Sequence, residues 1–499
     1  MKKIIFILFY FFATFIVFSE SQITLEEKCS YKQISLFENE KYIKQQNTYE
    51  ELYEDIETLC YILSVGYAGY EEMVSKGFNI NSFKNNFINA YKNLNQIDTK
   101  NFIHFLENEL APFISDSHFQ IIGKQSVSNF IEKKICYWTD VFVEKQKQDY
   151  FSIYSNQYIP DGLKYNDKKE NLFFYPTKGK NIFRIGIISA KKQDEVEINF
   201  SRKYYKFFTK DDNAIEKNTI RYKTIETNGS SYIALNTFYL PFSEDSSRKS
   251  TEKVLNKFID CGAIYKDKKN IILDLRSNQG GNAAYPASFL YNLYSKKRVK
   301  NNNKLISLMD NWFVYSFSDR ENIISPVSCE AEFLLNSKRN SFSNYKKDVS
   351  KIEKMKKDPH KIIEQHGFDK SKLFEDKSSF KGKLLIIVDR NTMSAGELVI
   401  PLAKKILGNA QVITIGENTY GAASYWNVIT LELPNSKIGI NTAFSRNKMV
   451  ADYLDWHGEG YGFFPDYWAV GSDLNEAIYL ITNDDEMKEK LKNIEFRLL

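Results

Sequence analysis

The sequence lacks several features that would assign it to a common class of protein. Its 68 basic and 63 acidic residues leave a net charge of only +5, so it has no global basic field of the kind that nucleic-acid binding needs. The five cysteines are odd in number, far apart and without a CxxC pair, which is the pattern of neither a disulfide scaffold nor a zinc site. Beyond residue 21, no segment is long and apolar enough to span a bilayer. We therefore expect no nucleic-acid partner.

The N-terminus has the pattern of a secretory signal. Lys2 and Lys3 precede an apolar run, and small serines follow it at the positions where cleavage needs them. We expect residues 1–21 to be removed and the protein to be exported, to a periplasmic or extracellular location, with no stable membrane span after cleavage. Since the run is slightly long for a signal core, an uncleaved membrane anchor is the alternative.

The periodicity of apolar residues divides the remaining chain into three domains. Helical spacing predominates in residues 22–121, and short aromatic and β-branched runs predict a β-rich middle domain at 122–229. Residues 230–499 alternate strands and helices, interrupted at about 296–381 by a charged stretch that we interpret as an inserted lid or cap. The alternation predicts an α/β domain with an open, mainly parallel sheet.

The segment Leu384–Glu397 leads a strand directly into a small-residue turn and a helix. Its first six residues are almost continuously apolar, as is typical of a strand covered on both faces. Ser394 follows between strand and helix, near the positive end of the helix and its free N–H groups. This setting suits a nucleophile, although serine at such a position is commonly only a helix cap.

Nucleophilic serine chemistry also needs a base, a group that orients the base, and donors for the oxyanion. Of five histidines, only His118 in a polar turn and His457 in WHGEG have loop settings that suit catalysis. Gly280 and Gly281 follow another predicted strand, so either can offer a backbone N–H in the same crevice as Ser394. The plain alternatives are surface histidines and an ordinary tight turn.

Five short motifs occur in an order that resembles the tail-specific, or C-terminal processing, serine peptidase superfamily. They are SDSHF at Ser115–Phe119, DLRSNQGG at Asp274–Gly281, SAGE at Ser394–Glu397, GENTYGA at Gly416–Ala422 and EGYGFFPD at Glu459–Asp466. The first resembles the histidine motif of the tricorn core protease branch. The resemblance covers the chain from the helical domain to near the C-terminus, without the middle domain and the insertion. It implies a ClpP/crotonase-like core for the parallel-sheet domain.

The resemblance also implies a role for each matching residue. Ser394 would be the nucleophile and His118 its general base. Ser117 and Glu459 would complete a Ser-His-Ser-Glu tetrad, in which Glu459 supports the histidine through the Ser117 hydroxyl.

The backbone N–H groups of Ala395 and of Gly280 or Gly281 would bind the oxyanion. Members of the superfamily that use a Ser-Lys dyad carry lysine just after the glycine of a TxG motif, where this chain has Ala422. Since alanine cannot act as a base, His118 becomes the necessary one. A second departure is that the middle domain has no recognisable carboxylate-binding loop of the PDZ type.

The leading hypothesis is an exported serine endopeptidase that cleaves peptides or unfolded proteins without a metal or other cofactor; the sequence leaves its oligomeric state open. The alternative is a catalytically inactive relative that binds a hydrophobic or peptide ligand, for which the 15% aromatic content would suit a pocket. A metal hydrolase using His457 and Glu459 is disfavoured, since these residues lack the helical HExxH arrangement.

Overall fold

The computed structural model describes most of the chain outside the N-terminal segment and parts of the middle domain and the insertion. The described residues are 29–146, 149–152, 158–159, 164–165, 170–176, 182–189, 206–207, 221–241, 246–296, 299, 301–317, 325–338, 353, 378–447, 450, 453–469 and 472–492. The predicted signal at 1–21 lies outside them. Within these ranges, no helix is long and apolar enough to cross a membrane.

The described residues form twenty strands and eleven α-helices, numbered in chain order. The strands are β1 (Ser35–Leu36), β2 (Gln46–Asn47), β3 (Ile97–Asp98), β4 (Gln120–Gly123), β5 (Ser126–Asn129), β6 (Ile135–Gln146), β7 (Asp149–Ser152), β8 (Tyr158–Ile159), β9 (Lys164–Tyr165), β10 (Glu170–Pro176), β11 (Ile182–Ser189), β12 (Lys206–Phe207), β13 (Tyr222–Glu226), β14 (Ser230–Leu235), β15 (Asn270–Asp274), β16 (Lys383–Val388), β17 (Val412–Gly416), β18 (Tyr425–Glu432), β19 (Gly439–Arg446) and β20 (Tyr467–Trp468). The helices are α1 (Tyr49–Tyr61), α2 (Tyr70–Ser75), α3 (Ile80–Tyr91), α4 (Thr99–Leu110), α5 (Ser246–Ile264), α6 (Ala284–Tyr294), α7 (Asn302–Phe317), α8 (Pro326–Lys338), α9 (Ala395–Leu407), α10 (Ser472–Thr482) and α11 (Asp485–Lys492).

A six-stranded sheet in the order β13-β14-β15-β16-β17-β20 forms the centre of the C-terminal half, and every neighbouring pair except β13–β14 is parallel. Along β16, Leu384 and Ile386 pack with α5, α6 and α9 in one apolar cluster. Leu385 and Ile387 point to the other face and pack with α10 and α11. The side chains alternate between the two faces, as expected for a strand. The predicted α/β fold with a doubly covered, mainly parallel sheet is confirmed.

A second sheet joins the N-terminal helices to the C-terminal half. Its strands are antiparallel and lie in the order β1-β18-β19-β4-β5, so the hairpin of β18 and β19 pairs with the strand that follows SDSHF. Ile121 on β4 and Ile440 on β19 pack with Leu52, Phe87 and other apolar residues of the N-terminal helices. The position of the SDSHF turn therefore depends on both halves of the chain.

The middle of the chain is rich in β-structure, as the sequence predicts. Seven strands form an antiparallel sheet in the order β8-β7-β6-β11-β10-β9, with β12 paired to β6.

Two helices of the predicted insertion pack into the protein core. Met309 and Phe313 on α7 belong to the apolar cluster of the central sheet, and the Phe313 ring meets Trp426 edge-on with 4.7 Å between ring centroids. Val327 and Ala331 on α8 pack instead with the N-terminal helices. These two helices therefore contribute to both cores, whereas most of the remaining stretch to residue 381 lies outside the described residues.

We predict that Phe313→Ala lowers the free energy of unfolding by about 3–5 kcal/mol, because it removes a buried ring and leaves a cavity against Trp426. Chemical denaturation provides the measurement. Asn311→Ala, an exposed change on the same helix, is the control and should stay within about 0.5 kcal/mol of wild type. If the two variants are equally stable, α7 does not pack as described.

Candidate active site

The turns that follow β15 and β16 are hydrogen-bonded to each other. Asp389 accepts the backbone N–H of Ser277 through Oδ1 at 2.9 Å, and Met393 donates its N–H to the carbonyl of Asn278 at 2.9 Å. The Asn278 side chain in turn donates to the carbonyl of Leu235 at the end of β14. The carboxyl ends of three parallel strands are thus joined just before Ser394, which fixes the direction from which the chain enters α9.

Ser394 has a strained backbone. Its φ of 52° and ψ of −123° are seldom adopted by a residue with a side chain, and such a conformation costs about 1–3 kcal/mol. It stands at the N-cap of α9, and the first N–H of that helix, on Ala395, has no acceptor within the described residues. A strained turn with free donors beside a serine is the arrangement that a nucleophile needs.

Of the two glycines predicted as oxyanion donors, one has its N–H already occupied. The N–H of Gly280 donates to Asn278 Oδ1 at 2.9 Å, whereas that of Gly281 has no acceptor among the described residues. Gly280 also lies so close to Ser394 that an added Cβ would be 2.8 Å from the serine Cβ. Gly280 therefore allows its turn to lie close to Ser394, and Gly281 is the glycine whose backbone N–H can bind an oxyanion.

The Glu397 carboxylate connects α9 to the GENTYGA segment. Glu397 is fully buried; its Oε1 accepts from the Thr419 hydroxyl at 2.5 Å and the Gly421 N–H at 2.8 Å. Its Oε2 accepts from the Ala422 N–H at 2.8 Å and the Ser394 N–H at 3.0 Å. Burial raises the pKa of Glu397, and these hydrogen bonds act to lower it. One carboxylate thus fixes the segment at 419–422 relative to Ser394.

Gly421 extends this connection to the SDSHF turn. Its carbonyl accepts the Ser117 hydroxyl at 2.7 Å and the Gly460 N–H at 2.8 Å. It has a φ of 83°, and an added Cβ would lie 2.4 Å from the Gly460 nitrogen, so both the conformation and the space require glycine. Ser394, Glu397, Gly421 and Ser117 therefore form a continuous hydrogen-bonded path.

The His118 ring is almost buried, and neither of its nitrogens has a hydrogen-bond partner within the described residues. Its backbone is fixed, since the His118 N–H donates to Asp116 Oδ1 at 2.7 Å and the Asn441 side chain donates to its carbonyl at 2.7 Å. Burial acts to lower the pKa of His118, but the carboxylates of Asp116, Glu459 and Glu397 outweigh it and leave the pKa above its ordinary value. Such a ring is suited to accept a proton.

Glu459 lies beside the same turn and is held by backbone donors. Its Oε1 accepts the Ser424 N–H at 2.8 Å and its Oε2 the Ser117 N–H at 3.0 Å. Burial, followed by the charge of Asp116, raises the pKa of Glu459 to about 7. The hydroxyl of Ser117 donates to Gly421, and the Ser117 side chain also acts to lower the pKa of Glu459, so the pairing of these two residues that the resemblance implies stays a prediction.

His457, the other loop histidine, has a different setting. The residue as a whole is exposed, and its ring stacks on Phe464 with 3.5 Å between the ring centroids. The part of the ring that is shielded from water loses hydration, which lowers the pKa of His457. Nearby Glu459 is turned towards Ser117 and Ser424. Across the described part of the chain, no three His, Cys, Asp or Glu side chains form a group that could hold a metal ion.

Three residues of this region were not found from the sequence. Glu397 stands three positions after Ser394, the spacing of a capping box, which was the available signal. Asp116 is part of SDSHF but received no role. Lys133, for which there was no signal, donates to Asn391 at 3.2 Å and lies 4.6 Å above the Tyr420 ring.

Residues 229–467 match peptidase family S41. This part of the chain belongs to that family, the tail-specific and C-terminal processing serine peptidases.

Solved structures with a similar course of the chain include mature CPAF (13% identity, 89% of this chain and 96% of that one, TM-score 0.38) and the photosystem II D1 C-terminal processing protease (12%, 88% and 98%, 0.37). The tricorn protease is another (11%, 89% and 37%, 0.33). No curated protein matches the chain significantly.

We predict that Glu397→Gln destabilises the protein, because the amide group would face backbone N–H groups that now bind a carboxylate oxygen. Each buried donor left unpaired costs about 1–3 kcal/mol, to be measured by chemical denaturation. Glu132→Gln, on an exposed side chain, is the control. Equal stability of the two variants would contradict the central position given to Glu397.

A second prediction concerns pH. Glu417 is buried, its Oε1 has no hydrogen-bond partner within the described residues, and burial raises its pKa from 4.5 to about 7. The folded state keeps this proton to higher pH than the unfolded state, so its contribution to stability is complete below pH 4.5 and is lost as pH rises through 7.

Glu417→Gln cannot ionise and should gain stability relative to wild type between pH 4.5 and 8, by up to about 3 kcal/mol. Denaturation of both proteins across this range provides the measurement. A difference between them that does not vary with pH would refute the assignment, and Glu132→Gln should show no such trend.

Proposed function

We propose that this protein is an exported serine endopeptidase that hydrolyses peptide bonds of peptides or unfolded proteins without a cofactor. The observation that carries the proposal is the strained turn at Ser394, with free N–H groups on Ala395 and Gly281. The hydrogen-bonded path to the turn that bears His118 supports it further. Export rests on the signal pattern of the N-terminus.

The proposed reaction proceeds through an acyl-enzyme. As the Ser394 Oγ attacks the substrate carbonyl carbon, His118 takes its proton, and the carbonyl oxygen becomes an oxyanion. The N–H groups of Ala395 and Gly281 stabilise that oxyanion. His118 then gives the proton to the leaving amine, and the C–N bond breaks to leave an ester on Ser394. A water, deprotonated by His118, hydrolyses the ester and restores the serine.

Charge favours this proton transfer. Asp116, Glu459 and Glu397 all raise the pKa of His118 against the effect of burial, so the imidazolium that forms in the reaction is stabilised. Ring nitrogens without another partner leave Nε2 able to accept the serine proton. Contacts between nucleophile and base commonly tighten only when substrate binds.

We predict that a fluorophosphonate probe labels Ser394 and that peptide mapping finds the adduct there. Ser394→Ala should abolish labelling, and His118→Ala should slow it by about 10²–10⁴-fold through loss of the base. Lys133→Met is the control: burial lowers the pKa of this lysine to about 8, so the variant tests whether another amine supplies the base. Labelling should survive in this variant.

Cleavage of fluorescently labelled, unfolded casein provides the second measurement. Internal fragments would support an endopeptidase, whereas release of residues only from an end would refute that part of the proposal. A folded wild-type protein that neither labels nor cleaves would contradict peptidase function. It would favour the alternative of an inactive, ligand-binding relative, in which Ser394→Ala leaves binding intact.

A further inference from the structure

Asp116 is a buried carboxylate with unused hydrogen-bonding capacity directly beside His118. Its side chain has no exposure, and its Oδ2 has no partner within the described residues. Oδ1 lies 3.6 Å from Nδ1 of His118, a nitrogen that also lacks a partner there. An unpaired buried polar group is costly, so two such groups close together favour a state in which they meet.

The turn brings these two groups close and leaves only a small movement between them. The Asp116 Oδ1 accepts the His118 N–H at 2.7 Å, the Asp116 carbonyl accepts the Phe119 N–H at 3.2 Å, and Asn441 holds the His118 carbonyl. A charge-assisted N–H···O bond is about 2.7–2.9 Å long, so a ring rotation that shortens the separation by less than about 1 Å completes it.

The other carboxylate beside this turn is already engaged. Glu459 accepts the N–H groups of Ser117 and Ser424, one at each oxygen. The single hydroxyl proton of Ser117 goes to the Gly421 carbonyl. That proton is therefore not directed to Glu459, whereas the Asp116 carboxylate, at 3.6 Å from Nδ1, has a direct route to the ring.

We propose that Asp116 is the positioning residue for His118. Its carboxylate accepts the hydrogen bond of Nδ1–H, selects the tautomer whose Nε2 lone pair is free for the Ser394 proton, and stabilises the imidazolium. Glu459 instead holds the backbone at Ser117 and Ser424. This inference rests on the proposed function for its catalytic consequence, but the pairing of Asp116 with His118 can be tested without it.

The groups that face His118 come from three elements. Asp116 belongs to its own turn, Glu459 to the loop before β20 and Glu397 to α9; the charges of Asp116 and Glu459 also act to raise the pKa of Tyr67. Because the pKa of Glu459 is raised to about 7, this carboxyl is largely protonated under mildly acidic conditions and then offers little charge to the imidazolium. Asp116 has the leading effect of the three in raising the pKa of His118.

The first experiment is an NMR titration of the histidine rings, which are only five in number. In the full-length wild type, the ¹⁵N shifts of His118 should show the proton on Nδ1 in the neutral ring. Asp116→Asn should lower the pKa of His118 more than Glu459→Gln does. A proton on Nε2, or a larger effect of Glu459→Gln, would overturn the inference. If Asp116→Asn fails to fold, Glu459→Gln decides the matter: it should leave the proton on Nδ1, and its loss from Nδ1 in that variant would overturn the inference.

The second experiment follows the rate of fluorophosphonate labelling against pH. Asp116→Asn should slow labelling by about 10–10³-fold and move its acidic limb to lower pH, whereas Asp116→Glu, which keeps a carboxylate, should recover part of the rate. Slower labelling with an unchanged pH profile and no recovery would indicate a purely structural role and overturn the inference. Absence of wild-type labelling would contradict the proposed function alone, since the titration still decides the pairing.

Discussion

The arrangement around Ser394 depends on one buried carboxylate. Glu397 accepts four hydrogen bonds, and they come from both the entrance to its own helix and the segment that contains Thr419, Gly421 and Ala422. A charged acceptor in the core is tolerated only when its oxygens are fully satisfied, which fixes the donors as firmly as the acceptor. The strained backbone of Ser394 is therefore held by a carboxylate three residues further on, which a later segment of the chain fixes in place.

The histidine turn is attached to this centre by backbone contacts. Gly421 receives the Ser117 hydroxyl, Asn441 holds the His118 carbonyl, and Glu459 receives the Ser117 N–H. These contacts come from three separate stretches of chain, and the N-terminal helices support the sheet from which the turn emerges. Carboxylates gathered around a nearly buried ring supply the negative charge that an imidazolium requires. The carboxylates do not contribute this charge equally, because the raised pKa of Glu459 limits the ionisation of that carboxyl near neutral pH.

Much of the fold followed from local patterns. The continuous apolar run at Leu384–Val388 predicted a strand covered on both faces, and its residues indeed pack alternately on the two helical layers. The pairing of β19 with β4 was not predicted, because strand pairing over some 300 residues leaves no periodic trace in the sequence. For the same reason the packing of α7 into the central core could not be anticipated from a charged, irregular stretch.

For the candidate site, the sequence determined which chemical groups are available and where local geometry favours them: a serine between strand and helix, a histidine in a polar turn, and two adjacent glycines after a strand. Only the tertiary structure decided how these groups are used. In the folded protein the Gly280 N–H donates to Asn278, the Ser117 hydroxyl donates to Gly421, and Asp116 lies beside the His118 ring. The physical reason is that a hydrogen bond depends on distance and direction to within a few tenths of an ångström, and chain segments far apart in sequence acquire such positions only when they pack together.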